Sequence, residues 1–205
     1  MANNDKQVRV RRTKAAIIES INKAAEESVL KHGFSGSLVS EIIKGAKIEP
    51  AVFYNRYQNL EEFFSEFVKK YDYWFSEVAK EAEKQETSYG QFITLIEGLQ
   101  ECLKEKSVME ELIRWEVAEK NDITKRTASI RELFTLPLVD KYDKLFKDSG
   151  IDFVAIATII ISGLYYLYLH KDLSTFCNID MNTEEGRHRI NEAIKFLSEP
   201  LFNKK

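Results

Sequence analysis

Apolar residues recur three and four positions apart along most of the chain, the spacing of one buried face of an α-helix. From Thr13 to about His32 the stripe is Ile17, Ile18, Ile21, Ala24, Ala25 and Val29, and Gly33 is placed to stop that helix. Val39, Ile42 and Ile43 make a second, shorter face, with Ser37 ahead of it as an N-cap. A turn follows at Ala46-Lys47-Ile48. Pro50 then falls at the first position of a third helix, where its fixed φ fits and its missing N–H costs nothing, and Glu49, held extended by the proline, marks the boundary. Val52, Phe53 and Tyr57 point inward, leaving Pro50, Ala51, Tyr54, Asn55 and Arg56 nearer the outside. Two short helices across a tight turn predict a helix-turn-helix, buttressed by the first helix.

Asn59, followed by Glu62, forms a capping-box pattern that opens a long helix. Its apolar positions run from Leu60 through Phe63, Phe64, Phe67, Val68, Tyr71, Trp74 and Phe75 to Val78, and end in the charged run Lys80–Glu86. Further helices are expected over 88–105, with Phe92, Ile93, Leu95, Ile96, Leu99 and Leu103 inward, and over about 108–120. Asn121-Asp122 is a break or cap before a helix over about 123–147 that Pro137 is expected to interrupt. After a loop at Lys171–Asn182, Thr183 caps a last helix carrying Ile190, Ala193, Ile194, Leu197 and Leu201. No stretch alternates at period two for long enough to require a strand. The expected fold is all-α, about nine helices: a three-helix head over residues 1–59 and a helical body over 60–205.

Residues 153–169, FVAIATIIISGLYYLYL, hold no charge. Their length is at the short end of a membrane span, and Thr158, Ser162 and Gly163 dilute the hydrophobicity. No second such segment exists, so a helix buried on one side by its own body and on the other by a partner is expected, with no membrane.

Charge sharpens the division into head and body. The chain of 205 residues has a net charge of −3, yet residues 1–60 hold 10 Lys+Arg against 6 Asp+Glu and the remainder 20 against 27. A basic head on an acidic body suits an anionic partner at one end only. Arg9, Arg11 and Arg12 precede the first helix, a pattern that fits either a basic arm meeting phosphates or a solubilising tail. Cys102 and Cys177 lie on separate elements without a pairing pattern and are expected to be free thiols. The chain opens polar and basic, MANNDKQVRVRR, without an apolar signal segment, and a cytoplasmic location is expected.

The stretch Gly33–Phe63 resembles the head of the tetracycline-repressor-like (TetR) transcriptional regulators. It matches the family pattern at Gly33, Phe34, Ser37, Val39, Ile42, Ala46, Ile48, Phe53, Tyr54, Tyr57, Asn59 and Glu61. It departs at Lys47 and Ala51, where glycine is usual, at Glu49 for serine, and at Leu60 for the lysine that typically meets a phosphate. The resemblance implies that Pro50, Ala51, Val52 and Asn55 face bases and that Ser37, Lys47, Tyr54 and Arg56 meet phosphates. Asn55 suits adenine, and Ala51 or Val52 a thymine methyl. It also implies a homodimer formed through the last two helices and a small-molecule effector inside the body, where Trp74, Phe92, Trp115, Tyr165, Tyr166 and Tyr168 are the candidate contacts. Glu116 and Arg131 adjoin apolar stripes and either orient a polar ligand or form an ordinary ion pair.

Enzymatic chemistry finds little to use. His32, His170 and His188 are scattered without metal-ligand spacing, and the chain has neither a glycine-rich phosphate loop nor a nucleophile elbow, so no catalysis, metal or cofactor is expected. The expected function is a ligand-responsive repressor on a palindromic duplex DNA operator. The alternative is a helical dimeric ligand-binding or scaffold protein with a weakened DNA-binding head.

Overall fold

The computed structural model describes residues 12–71, 74–105 and 107–203. They form ten α-helices: α1 (Lys14–Gly36), α2 (Val39–Ala46), α3 (Pro50–Tyr54), α4 (Leu60–Phe67), α5 (Trp74–Ala82), α6 (Ser88–Glu105), α7 (Ser107–Ala118), α8 (Asp122–Phe146), α9 (Phe153–His170) and α10 (Glu184–Phe202). No strand occurs among the described residues. The chain divides into two compact units, Met1–Phe67 and Val68–Lys205, so the division falls eight residues beyond the boundary expected at Asn59/Leu60.

The difference has a local cause. The apolar stripe from Leu60 to Val78 predicts one long helix, whereas the structure has α4, then a 3₁₀ turn at Val68–Tyr71, then α5. Spacing of three positions suits an α-helix and a 3₁₀-helix alike, so the pattern alone does not register the change. Phe63, Phe64 and Phe67 are buried, and α4 completes the core of the head. Asn59 Oδ1 accepts from the Glu62 amide at 2.8 Å, and the Glu62 carboxylate accepts from the Gln58 amide at 2.6 Å. The expected cap is therefore present, with its return bond one residue earlier.

Gly33 has φ 69°, a region that side chains with a Cβ rarely occupy, and it kinks α1 just before one further turn. That turn carries the buried Phe34 against Phe64 and Phe67, with ring centroids 5.1 and 6.3 Å away. Ser37 is not the N-cap of α2. Leu38 holds that position without a side-chain cap bond, while Ser37 is buried, donates to the Gly33 carbonyl at 2.8 Å and accepts from the Ser28 hydroxyl at 3.1 Å. Its hydroxyl closes the α1 kink.

In the body, α6 is central, packing against α5, α7, α9 and α10. At Gly98 of α6 an added Cβ would sit 2.4 Å from Val78 Cγ1, so the approach of α5 needs a glycine there. The core is rich in aromatic rings: Phe92, Tyr142, Phe146, Phe153 and Phe202 meet one another at centroid distances from 4.6 to 6.3 Å. Helix ends follow their caps. Asn121 forms a reciprocal capping box with Thr124, and Thr183 accepts from the Gly186 amide. Helix α8 runs through Pro137 without the expected interruption. Cys102 is buried and Cys177 is exposed, and neither is in a disulfide.

Helix α9 is long and apolar enough to cross a membrane by length and composition. Within the chain it is not enclosed: only Phe153, Leu164 and Tyr168 are buried, and Ala155, Thr158, Ile159, Ser162, Gly163 and Tyr166 form an exposed face. Burial by the body thus accounts for one side only.

Burial pushes the Tyr142 and Tyr168 phenols up to about 12. The Tyr142 hydroxyl donates to the Ser88 carbonyl at 3.2 Å. The folded chain keeps these protons at a pH where the unfolded chain releases them, so their stabilising effect is complete below pH ~10 and is lost as pH rises through ~12. Each ring is worth at most about 2–3 kcal/mol over that window. Urea midpoints are expected to be level from pH ~7 to ~9 and to fall between ~10 and ~12. A level profile across the upper window would show that the rings are solvated.

Candidate nucleic-acid interface

The helix-turn-helix is built by α2, the turn Lys47–Glu49 and α3. Lys47 caps α2 in the left-handed region, φ 53° and ψ 51°, with its amide directed to the Ile43 and Lys44 carbonyls. That conformation explains why glycine is usual at this place in the resembling family. Lys47→Gly is therefore expected to raise the stability of the head by up to ~1 kcal/mol, read as a small rise in the midpoint of thermal unfolding. A fall in the midpoint would show that the Lys47 side chain contributes more than its backbone strain costs.

Only one residue anchors α3 fully. Phe53 is buried completely, its ring 5.3 Å from that of Tyr57 and 5.6 Å from that of Phe63. With Phe53 turned inward, Pro50, Ala51, Tyr54 and Asn55 are exposed, as are Lys44 and Lys47, while Val52 is half-buried. The outer face of α3 is thus small and mostly uncharged, with one amide at Asn55 and one phenol at Tyr54. A surface of this kind takes phosphates at its edge and offers few donors to base edges.

Two arginines are placed differently from the expectation. Arg56 folds back and donates from Nη1 to the Val52 carbonyl at 2.7 Å, capping the end of α3, and its Nε is buried without a partner. Arg12 donates from Nη1 to the Ala46 carbonyl at 3.0 Å, tying the start of the described chain to the end of α2. Arg9 and Arg11 lie outside the described residues. Of the eight interface candidates, Lys47, Pro50, Ala51, Tyr54 and Asn55 are exposed, Val52 is half-buried, Arg56 serves as a cap and Ser37 is internal.

The ligand candidates do not converge. Phe92 belongs to the aromatic core. Trp115 is buried, and its indole N–H donates to the Glu119 carboxylate at 2.9 Å. Tyr166 is exposed and stacks on His170 with centroids 5.3 Å apart. The side chain of Trp74 lies outside the described residues. Glu116 and Arg131 do form a pair, at 2.5 and 3.0 Å, and the Thr127 hydroxyl donates to the same carboxylate at 2.6 Å. Tyr165 lies in the field of both, and burial raises its phenol above the ordinary value, with Arg131 opposing and Glu116 adding. Tyr168 instead borders a polar cleft of about 290 Å³ between α6, α9 and α10, together with Gln100, Arg187 and Asn191. Sequence reasoning missed this cleft because its polar residues read as ordinary solvated helix positions. Among the described residues no cluster of His, Cys, Asp and Glu is arranged to hold a metal ion.

An all-helical chain with a helix-turn-helix head and a separate helical body has the TetR-like fold. Solved structures share it. Reduced NemR of E. coli superposes with a TM-score of 0.64 at 14% identity, covering 87% of this chain and 95% of that one. A Pseudomonas aeruginosa PAO1 protein described as a transcriptional regulator gives 0.63 at 14%, covering 93% of each. A TetR family transcription regulator of Marinobacter aquaeolei VT8 gives 0.58 at 19%, covering 87% and 95%. No protein-family model matches the sequence, and no curated protein matches it either. At these identities the likeness establishes the fold.

Proposed function

We propose that the chain is a homodimeric, ligand-responsive transcriptional regulator that represses from a palindromic DNA operator and is released when a small molecule binds the body. The observation that carries this reading is the exposed outer face of α3, anchored by the buried Phe53, together with exposed lysines at Lys44 and Lys47 of the same helix-turn-helix. The solved structures of like fold, which are NemR, a transcriptional regulator and a TetR family transcription regulator, support it.

The dimer rests on apolar surface. Ile159 of α9 is 72% exposed, and Phe196 and Leu197 of α10 are 77% and 61% exposed. Large apolar side chains at such exposure on two helices that both pack on α6 suit a seam with a second copy. A closed pair places two α3 helices on one duplex, which is the geometry a palindromic site requires.

The test is fluorescence anisotropy with duplexes from the region flanking the protein's own gene. A regulator making several phosphate contacts loses roughly 10³-fold or more in affinity between 50 and 200 mM salt. Lys47→Ala and Tyr54→Ala are each expected to weaken binding by roughly tenfold while leaving the dimer intact by light scattering. Unchanged affinity in both variants would end the assignment of these residues to phosphates, and salt-insensitive binding would end the DNA reading.

A further inference from the structure

We infer that Arg12 is a backbone-phosphate contact of the DNA interface, held at the helix-turn-helix by the end of α2. Arg12 acts at the same site as α3, so its role stands only if the head binds duplex DNA as proposed above. Arg12 precedes α1 in the chain, yet its Nη1 donates to the carbonyl of Ala46, the last residue of α2, at 3.0 Å. That bond brings the guanidinium to the turn between α2 and α3, where Lys47 is the next residue. The negative end of α2 favours a cation there, which accounts for the bond itself. It uses one of the five N–H donors of a guanidinium. Arg12 is exposed and makes no other hydrogen bond or ion pair among the described residues, so donors remain for a phosphate. The tie to Ala46 also limits the rotamers of a long side chain in advance, which lowers the ordering cost of meeting a phosphate.

The charge around this turn says what kind of partner fits. Lys44 lies in the last turn of α2 and Lys47 at its C-cap, both are exposed, and neither has an ion pair among the described residues. Exposed lysines of the body are placed differently: Lys84, Lys104, Lys125 and Lys144 each lie within 3.5 Å of a carboxylate three or four residues earlier. Near the turn, Glu41 lies 3.4 Å from His32, and Glu49 is the one acid between Lys44 and Arg56. Arg12, Lys44 and Lys47 against Glu49 leave a local excess of positive charge in a chain whose net charge is −3. A polyanion with closely spaced phosphates is the partner such a set fits, and it needs no base sequence to do so.

The experiment measures anisotropy of a labelled random-sequence duplex with the full-length protein over a salt series, for the wild type, Arg12→Gln and Arg12→Lys, with the thermal midpoint of each. A random sequence suffices because a phosphate contact carries no sequence information. Arg12→Gln, which keeps an N–H donor but not the charge, is expected to reduce the slope of log affinity against log salt by about 0.9 and to bind roughly tenfold more weakly at about 50 mM salt. Arg12→Lys, which keeps the charge, is expected to restore the slope. Both variants should keep the thermal midpoint of the wild type, since Arg12 is exposed. Weaker binding by Arg12→Gln at an unchanged slope, with a lower midpoint, would overturn the assignment and leave Arg12 as a cap of α2. A slope that Arg12→Lys does not restore would overturn it as well, because the effect would not follow the charge. In both cases steep salt dependence in the wild type would leave the DNA reading standing, whereas a wild type that does not bind the duplex at low salt would end both.

Discussion

Phe53→Ala is expected to destabilise the head by about 3–5 kcal/mol and to abolish DNA binding with it. Helix α3 has five residues, far too few to persist in water by its own hydrogen bonds. Its shape therefore depends on tertiary anchoring, and Phe53 is its only fully buried side chain. Truncation would remove the ring that meets Tyr57 and Phe63, leaving a void beneath the helix. The two tryptophans, Trp74 and Trp115, both fall in the body unit, so their fluorescence reports that unit while circular dichroism reports both. In urea the variant should lose part of its helical signal early, with the tryptophan transition in place. A single transition shifted as a whole would show that the units unfold together.

Arg131→Met is expected to destabilise the body by about 3–5 kcal/mol, because it leaves Glu116 as an uncompensated buried charge. The side chains of Arg131 and Glu116 are only 16% and 10% exposed, and the shortest approach is 2.5 Å. Their pairing joins α7 to α8, with Thr127 completing the coordination of the carboxylate. Since much of the loss is the stranded charge, adding Glu116→Gln to Arg131→Met should recover a large part of it. The tryptophan urea midpoint measures both steps. A single-variant loss below about 1 kcal/mol would mean that the pair behaves as a surface pair.

These two expectations differ in how far the sequence foretells them. Several helix ends were legible from chemistry local to the chain, Gly33 at a positive φ, Pro50 at a helix start, Asn121 and Thr183 as caps, whereas Pro137 was expected to interrupt α8 and does not. The inward role of Phe53 was legible from spacing. What was not legible depends on partners distant in sequence. Ser37 looks like a cap until Ser28 is brought beside it, and Arg12 looks like part of a tail until it meets the Ala46 carbonyl. Arg56 has the position of a phosphate contact but bonds four residues back. Gln100 carries no signal in the sequence, since its partner Asn191 comes from α10. Aromatic residues in the body carried the weakest signal, since a ring in a packed core and a ring beside a cavity occupy the same helical positions; Phe92 and Tyr168 both lie in the buried core, and Tyr168 in addition borders the cleft.

The central claim, that α3 enters duplex DNA in two copies held at a fixed separation, is tested most directly by hydroxyl-radical footprinting on the region flanking the protein's own gene. The account predicts two protected patches on one face of the duplex, about 34 Å or a multiple of it apart, both lost together in the Lys47→Ala, Tyr54→Ala double variant. Uniform protection, or none at low salt, would contradict it.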